Sequence, residues 1–291
     1  MSSPAATRSV WSFDAIGTAW TIETTAALPA DARARVESLV RRFDGEWSRF
    51  RDDSVVSTLA RVGGEVPAPP DATAMLDVYV ELDAATGGAV NPLVGDALAR
   101  LGYDARYSLA AGDPRRAPAQ WRRLLDWSGG RLTLTAPATI DVGAVGKGRL
   151  VDLVLAALLA AGIDDVVVDA SGDLAVRGAS QRVGLEHPFD PRRAIGVFEV
   201  ADAALCASAT NRRAWGEGLH HVLDARTGAP VRAYAATWAL APTALQADAL
   251  ATALFFDGGP ELAAAWGAEW VRMRTDGRVE WSPGCSAEVF A

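Results

Sequence analysis

The chain has 291 residues, half of them hydrophobic and 22% charged, a balance that supports a packed core and excludes a disordered polymer. Its 36 acidic side chains outnumber 28 basic ones for a net charge of −8, and no basic face is visible, so nucleic acid is not an expected partner. Two cysteines, Cys206 and Cys285, in no metal-type spacing exclude a disulfide scaffold and read as small buried or neutral residues.

The opening stretch through Gly17 has no apolar run of leader length and no lipid-attachment cysteine. Residues Trp11 to Thr24 alternate as a first strand, and Asp31 to Phe50 reads as a helix with Val36, Leu39, Val40 and Phe43 on one face. A polar segment follows from Trp47, then a Gly/Pro-rich loop from Gly63 to Pro70. A helix over Ala72 to Thr86 stops at Gly87-Gly88. Residues Asp104 to Gln120 read as an irregular excursion, and Arg131–Leu134 and Ala138–Val142 as short strands. The helix from Lys147 to Ala161 is apolar nearly all round and is expected buried. Its longest apolar stretch, Leu153–Ala161, is too short to cross a bilayer, so no membrane segment is expected and the default location is cytoplasmic.

Asp165–Asp169 (DVVVD) then reads as a central strand buried on both faces. Strands are expected at Leu174–Arg177, Arg182–Leu185, Gly196–Val200 and Ala235–Ala241, helices at Leu245–Phe256 and Pro260–Trp266, and two short strands at the end. Helices and hairpin-like strand pairs intermix, so the expected class is mixed α/β with antiparallel pairing. No repeat or linker divides the chain, and residues 1–291 are read as a single domain.

Four segments carry chemistry. In DVGAVGKGRLVD, Asp141 to Asp152, a glycine turn opens a helix; its amides can attract phosphate and Lys147 adds charge. It is not a Walker A loop, and a tight turn with an exposed lysine is the plain alternative. DASGD, Asp169 to Asp173, puts carboxylates at the end of a central strand, where crevices form and where ordinary turns also occur. In LQADALATALFF, Asp248 and Thr252 stack one helical turn apart among apolar neighbours. A carboxylate there needs solvent, a basic partner or a cation, and Mg²⁺ is the hard ion that takes such oxygen ligands. The segment His220 to Gly228 holds two of the three histidines and ends in a turn; a surface turn is the plain reading, with no nucleophile elbow or zinc motif beside it.

In order, these segments resemble the ApbE family, the FAD:protein FMN transferases. The likeness runs from about Ile16 to Phe256. It rests on IGTAW (Ile16–Trp20), WSRFRDDSVVSTL (Trp47–Leu59), TGGAVNPLVGDAL (Thr86–Leu98), DVGAVGKGRLVD, VVVDASGDLAVRG, SATNRR (Ser208–Arg213), HVLDARTGAPV (His221–Val231) and QADALATALFF (Gln246–Phe256). The resemblance implies an ApbE-like, T-fold-like architecture of antiparallel sheet and packed helices with FAD in a cleft. It implies Mg²⁺ held by Asp248, Thr252 and the carbonyl of Gly146, with Lys147 and Asp248 in catalytic roles. It also implies cofactor contacts from Gly17, Thr18, Phe50 (an aromatic over the isoalloxazine), Lys147, Asp173, Ser208, His221, Asp224 and Thr227, the last two shaping their loop.

The implied partners are FAD and an acceptor protein with a flavinylation sequence. The implied reaction moves FMN from FAD onto a Thr or Ser hydroxyl and releases AMP. An FAD pyrophosphatase and a non-catalytic FAD-binding protein are the competing readings. The chain departs from the family pattern at Gly146 for Ala, Ala225 for a Pro whose loss should loosen the turn, Ala207 for Thr, and Asn91 for Asp.

Overall fold

Ile16 and Gly17 both take positive φ, +44° and +76°. Two such residues in succession make the two-residue hairpin turn whose twist matches paired strands. The segment expected as one strand is therefore two, β1 (Ser9–Ala15) and β2 (Thr18–Thr24), in register from Ala15 opposite Thr18 to Ser9 opposite Thr24. The computed structural model describes residues 8–290; Met1–Thr7, which begin the stretch read for a leader, and Ala291 lie outside it.

The hairpin begins an eight-stranded sheet. Its other strands are β3 (Val166–Asp169), β4 (Asp173–Arg177), β5 (Ala204–Ala209), β6 (Tyr234–Ala241), β7 (Glu269–Arg274) and β8 (Val279–Trp281). The strands lie side by side in chain order and every neighbouring pair is antiparallel. Helices fill two of the connections. Between β2 and β3 come α1 (Ala30–Trp47), α2 (Val55–Val62), α3 (Ala72–Thr86), α4 (Gly95–Arg100) and α5 (Gly146–Ala160). Between β6 and β7 come α6 (Ala244–Ala253) and α7 (Gly259–Ala265).

The VVV run shows why strict polar alternation is missing. Val166 and Val168 pack in the helical core, whereas Val167 points to the opposite face. There a three-stranded sheet of Gln181–Glu186, Ala194–Val200 and Glu288–Val289 covers it, contributing Leu185, Phe198 and Val200 to a second core. Both faces are dry along this run, so all three valines are apolar whichever way they point.

Several expectations change. Ala138–Val142 is not a strand: Asp141 donates its N–H to Pro92 O at 2.8 Å and its carbonyl accepts from Tyr79 Oη at 2.9 Å, so its backbone groups serve no ladder. The Gly63–Pro70 loop contains a short strand, Gly64–Pro67, paired with the expected Arg131–Leu134. The polar segment from Trp47 holds α2, capped by Ser54 Oγ accepting from Ser57 N at 3.1 Å. Strand β5 was not expected, because ALCASA carries neither branched nor aromatic residues to mark it. No helix among the described residues is long and apolar enough to cross a membrane.

Candidate active site

The start of α5 meets the side of α6. A Cβ on Gly148 would lie 2.1 Å from the carbonyl oxygen of Ala244 and 2.7 Å from Asp248 Cβ, so glycine is what lets the two helices approach. That approach brings Asp248 Oδ2 to accept the Gly148 N–H at 2.9 Å. Asp152, on α5, returns the favour by accepting the N–H groups of Ala244 and Leu245 at 2.8 and 2.9 Å, which caps the start of α6. The solvent-facing alternative for Asp248 is overturned, since the residue is 2% exposed. Burial and the charge of Asp173 push its pKa up to about 8, against the pull of Lys147 and of the Gly148 amide.

Lys147 is likewise no free surface lysine. Its ammonium pairs with the carboxylate of Asp173, which is fully buried at the start of β4. Burial opposes the lysine's charge, but Asp173 and Asp248 outweigh it and its pKa is raised. Asp173 Oδ1 has no hydrogen-bond partner. A strand end 26 positions along the chain thus meets the helix start because β3 and β4 run directly beneath α5.

These groups border a cavity of about 920 Å³, near the upper end for small-molecule sites. Gly17, Thr18, Phe50, Gly146, Lys147, Ser208, His221, Asp248 and Thr252 all line it, as do Ile16, Ala207 and Asn91. Ile16 holds its left-handed backbone at this wall, a costly conformation for a branched residue.

Phe50 stacks on Tyr107 at 5.2 Å between centroids and 9° between planes, and Tyr103 meets Phe50 edge-on. The Arg49 guanidinium lies 4.2 Å from the Phe50 centroid, pairs with Asp141 and donates to Tyr103 O at 2.8 Å. His221 keeps Nδ1 buried without a partner; burial first, then Arg213, lowers its pKa to about 3, so the ring is neutral. His220 turns the other way. Its Nε2 lies 2.9 Å from Val231 O and Nδ1 accepts from Val222 N, a pattern that fits the Nε2–H tautomer and replaces the solvated histidine of the surface-turn reading.

Three expected contacts stand back from the wall. Asp173 reaches the cavity only through Lys147. Asp224 is occupied by Arg226, accepting from its backbone N–H and its guanidinium, and Thr227 Oγ1 accepts from Ala229 N. Both hold the turn rather than face the cavity. At this turn Ala225 supplies an N–H that a proline lacks, and it donates to Ala89 O at 3.0 Å. Asn91 Nδ2 donates to Pro118 O at 2.9 Å, a bond an ionised aspartate could not make. Sequence reasoning missed Arg49, Tyr103, Tyr107 and Arg213. Tyr103 and Tyr107 sit in segments without a distinctive pattern, Arg49 was visible only as a letter of WSRFRDDSVVSTL, and Arg213 only as the end of SATNRR.

The family model described as the ApbE family matches residues 16–273. The chain belongs to the ApbE family. It is 28% identical to an FAD:protein FMN transferase of Rhodobacter capsulatus over 96% of this chain, and spans 58% of that relative's length. It is 28% identical to an FAD:protein FMN transferase of Treponema pallidum, covering 78% of this chain and 71% of the relative. Among solved structures, the ApbE protein of Thermotoga maritima superposes with a TM-score of 0.82 over 96% of this chain and 98% of its own, at 21% identity. The flavin transferase ApbE of Vibrio cholerae gives 0.79 over 95% and 97%, also at 21%. At that identity the two structures establish an ApbE fold.

Proposed function

We propose that this ApbE-family chain is a Mg²⁺-dependent FAD:protein FMN transferase. The observation that carries the reading is the contact between Asp248 and the Gly148 amide. It seats a buried carboxylate, a lysine and a helix start at one point of a cavity large enough for a dinucleotide. The ApbE relatives named above supply the reaction class.

The residues present fit a hard divalent cation. Asp248 is buried with a raised pKa, so its anion lacks full compensation, and Thr252 borders the same cavity one helical turn away. Asp248, Thr252 and the Gly146 carbonyl would hold the ion. When bound, it supplies charge neutralisation to the diphosphate. Among the described residues no group of three or more His, Cys, Asp or Glu forms a metal cluster, and the donors proposed here are one carboxylate, one hydroxyl and one carbonyl.

The chain's own groups divide the remaining work. Phe50 and Tyr107 present aromatic faces to the isoalloxazine. Lys147, fixed by Asp173, meets a phosphate oxygen. His221, neutral, offers an unpartnered nitrogen to the nucleotide. An acceptor hydroxyl oxygen forms a bond to the FMN phosphorus and its proton is released to solvent, the bond from that phosphorus to the bridging oxygen breaks, and AMP leaves with the bridging oxygen. A cytoplasmic location is proposed alongside this reading, and cell fractionation checks it.

The test is incubation with FAD, Mg²⁺ and an acceptor carrying a threonine flavinylation sequence. A fluorescent acceptor band on a denaturing gel with matching AMP release is expected. AMP without the band would make the chain an FAD pyrophosphatase, and neither product would leave only FAD binding.

A further inference from the structure

Five cationic side chains line the cavity: Arg49, Arg51, Lys147, Arg212 and Arg213. Four already face carboxylates. Arg49 pairs with Asp141, Arg51 with Asp44 and Asp53, Lys147 with Asp173, and Arg212 with Glu186. Among the described residues, Arg213 has no carboxylate partner. Its one side-chain hydrogen bond is Nη1 donating to Tyr103 Oη at 2.9 Å, a neutral acceptor that aims the guanidinium without cancelling its charge. Tyr103 is itself fixed, buried and stacked on Trp215 at 5.5 Å.

We propose that Arg213 is the residue that binds the diphosphate of the dinucleotide, meeting its charge directly while Lys147 spends most of its own on Asp173. This rests on the FAD reading of the same cavity. A guanidinium presents several N–H donors in a fork that matches phosphate oxygens, and one unpaired cation in a partly enclosed site gains most from an anionic ligand. Tyr103 joins the two halves of the site: its ring closes the aromatic wall around Phe50 and its hydroxyl orients the phosphate-binding arginine.

The experiment measures three ligands on wild type, Arg213→Ala and Arg213→Lys. FAD and riboflavin are titrated by flavin fluorescence in EDTA, so that nothing is cleaved. ADP, a diphosphate without flavin, is titrated by calorimetry with and without Mg²⁺. Arg213→Ala should weaken FAD and ADP by at least about tenfold, the scale of one charge-assisted hydrogen bond, and leave riboflavin within about twofold. Arg213→Lys should recover part of the loss. Unchanged FAD and ADP affinity in Arg213→Ala, or an equal loss for riboflavin, overturns the proposal. A wild type that binds ADP through Arg213 but not FAD sinks the flavin reading and keeps the diphosphate site; a wild type that binds none of the three removes both.

Discussion

The Asp248 carboxylate is pushed toward its neutral form by burial and the nearby Asp173, and toward its charged form by Lys147 and the Gly148 amide. It also caps α5 through the Gly148 amide, so charge and fold can be separated by the choice of substitution. Asp248→Asn keeps an oxygen acceptor and loses the charge; AMP release from FAD should fall by about a hundredfold or more with little change in melting temperature. Asp248→Ala loses both and should also cost about 1 kcal/mol of stability, seen in denaturant unfolding. Turnover that survives in Asp248→Asn removes the metal assignment. His221 yields a pH prediction. Its folded pKa is about 3 against an ordinary value of 6.5, so the unfolded chain takes up a proton that the folded chain refuses. Stability from this group is complete above about pH 6.5 and is lost as pH falls toward 3, by up to about 1.4 kcal/mol per pH unit. Urea unfolding of His221→Gln should therefore converge on wild type as the pH drops through that window; a constant gap between the two would show that the imidazole is protonated in the fold.

The α5–α6 crossing is the element on which the site depends. Gly148→Ala drives a methyl against the Ala244 carbonyl, and backbone cannot move aside as a flexible side chain would. A loss of about 2–3 kcal/mol, with FAD affinity falling because Asp248 and Lys147 separate, is the expected result of unfolding and binding measurements. Equal stability would mean the helices can part without disturbing the site. This crossing also marks what the sequence could convey. Helix α3 and the strand Arg131–Leu134 were legible to the residue, because apolar spacing and a glycine stop are local signals. Lys147, Asp173 and Asp248 were each ambiguous alone, since a turn lysine and a surface carboxylate have the same letters as a buried ion pair. Only the pairing of β3 with β4 under α5, and the glycine contact with α6, decides between them. Arg213 was illegible for a related reason: what distinguishes it is that, among the described residues, no carboxylate pairs with it, and that is a property of the folded neighbourhood. The β1–β2 hairpin was missed because its turn uses isoleucine where glycine or asparagine would have announced positive φ.

At the scale of the molecule, the eight-stranded sheet separates two cores with different duties. The helical layer supplies α1, α5 and α6 to the cavity, whereas the three-stranded sheet closes the other face over Val167, Leu174 and Val176. The outer layer touches the cavity only at its near end, through Glu186 and Pro188. Stability and ligand binding should therefore respond independently to a change deep in the second core. Phe198 is fully buried there and faces Val183 across the strand pair. Phe198→Ala removes a ring that the rigid sheet cannot collapse to replace, and should destabilise by about 3–5 kcal/mol. The sheet itself remains pinned from the helical side by Val166, Val168 and Ala175, so the folded fraction should bind FAD with unchanged affinity. Denaturant unfolding and flavin titration of the same preparation test both halves. An FAD affinity that falls with the stability would mean that the outer sheet sets the position of β4, and with it the Asp173 carboxylate that steadies Lys147.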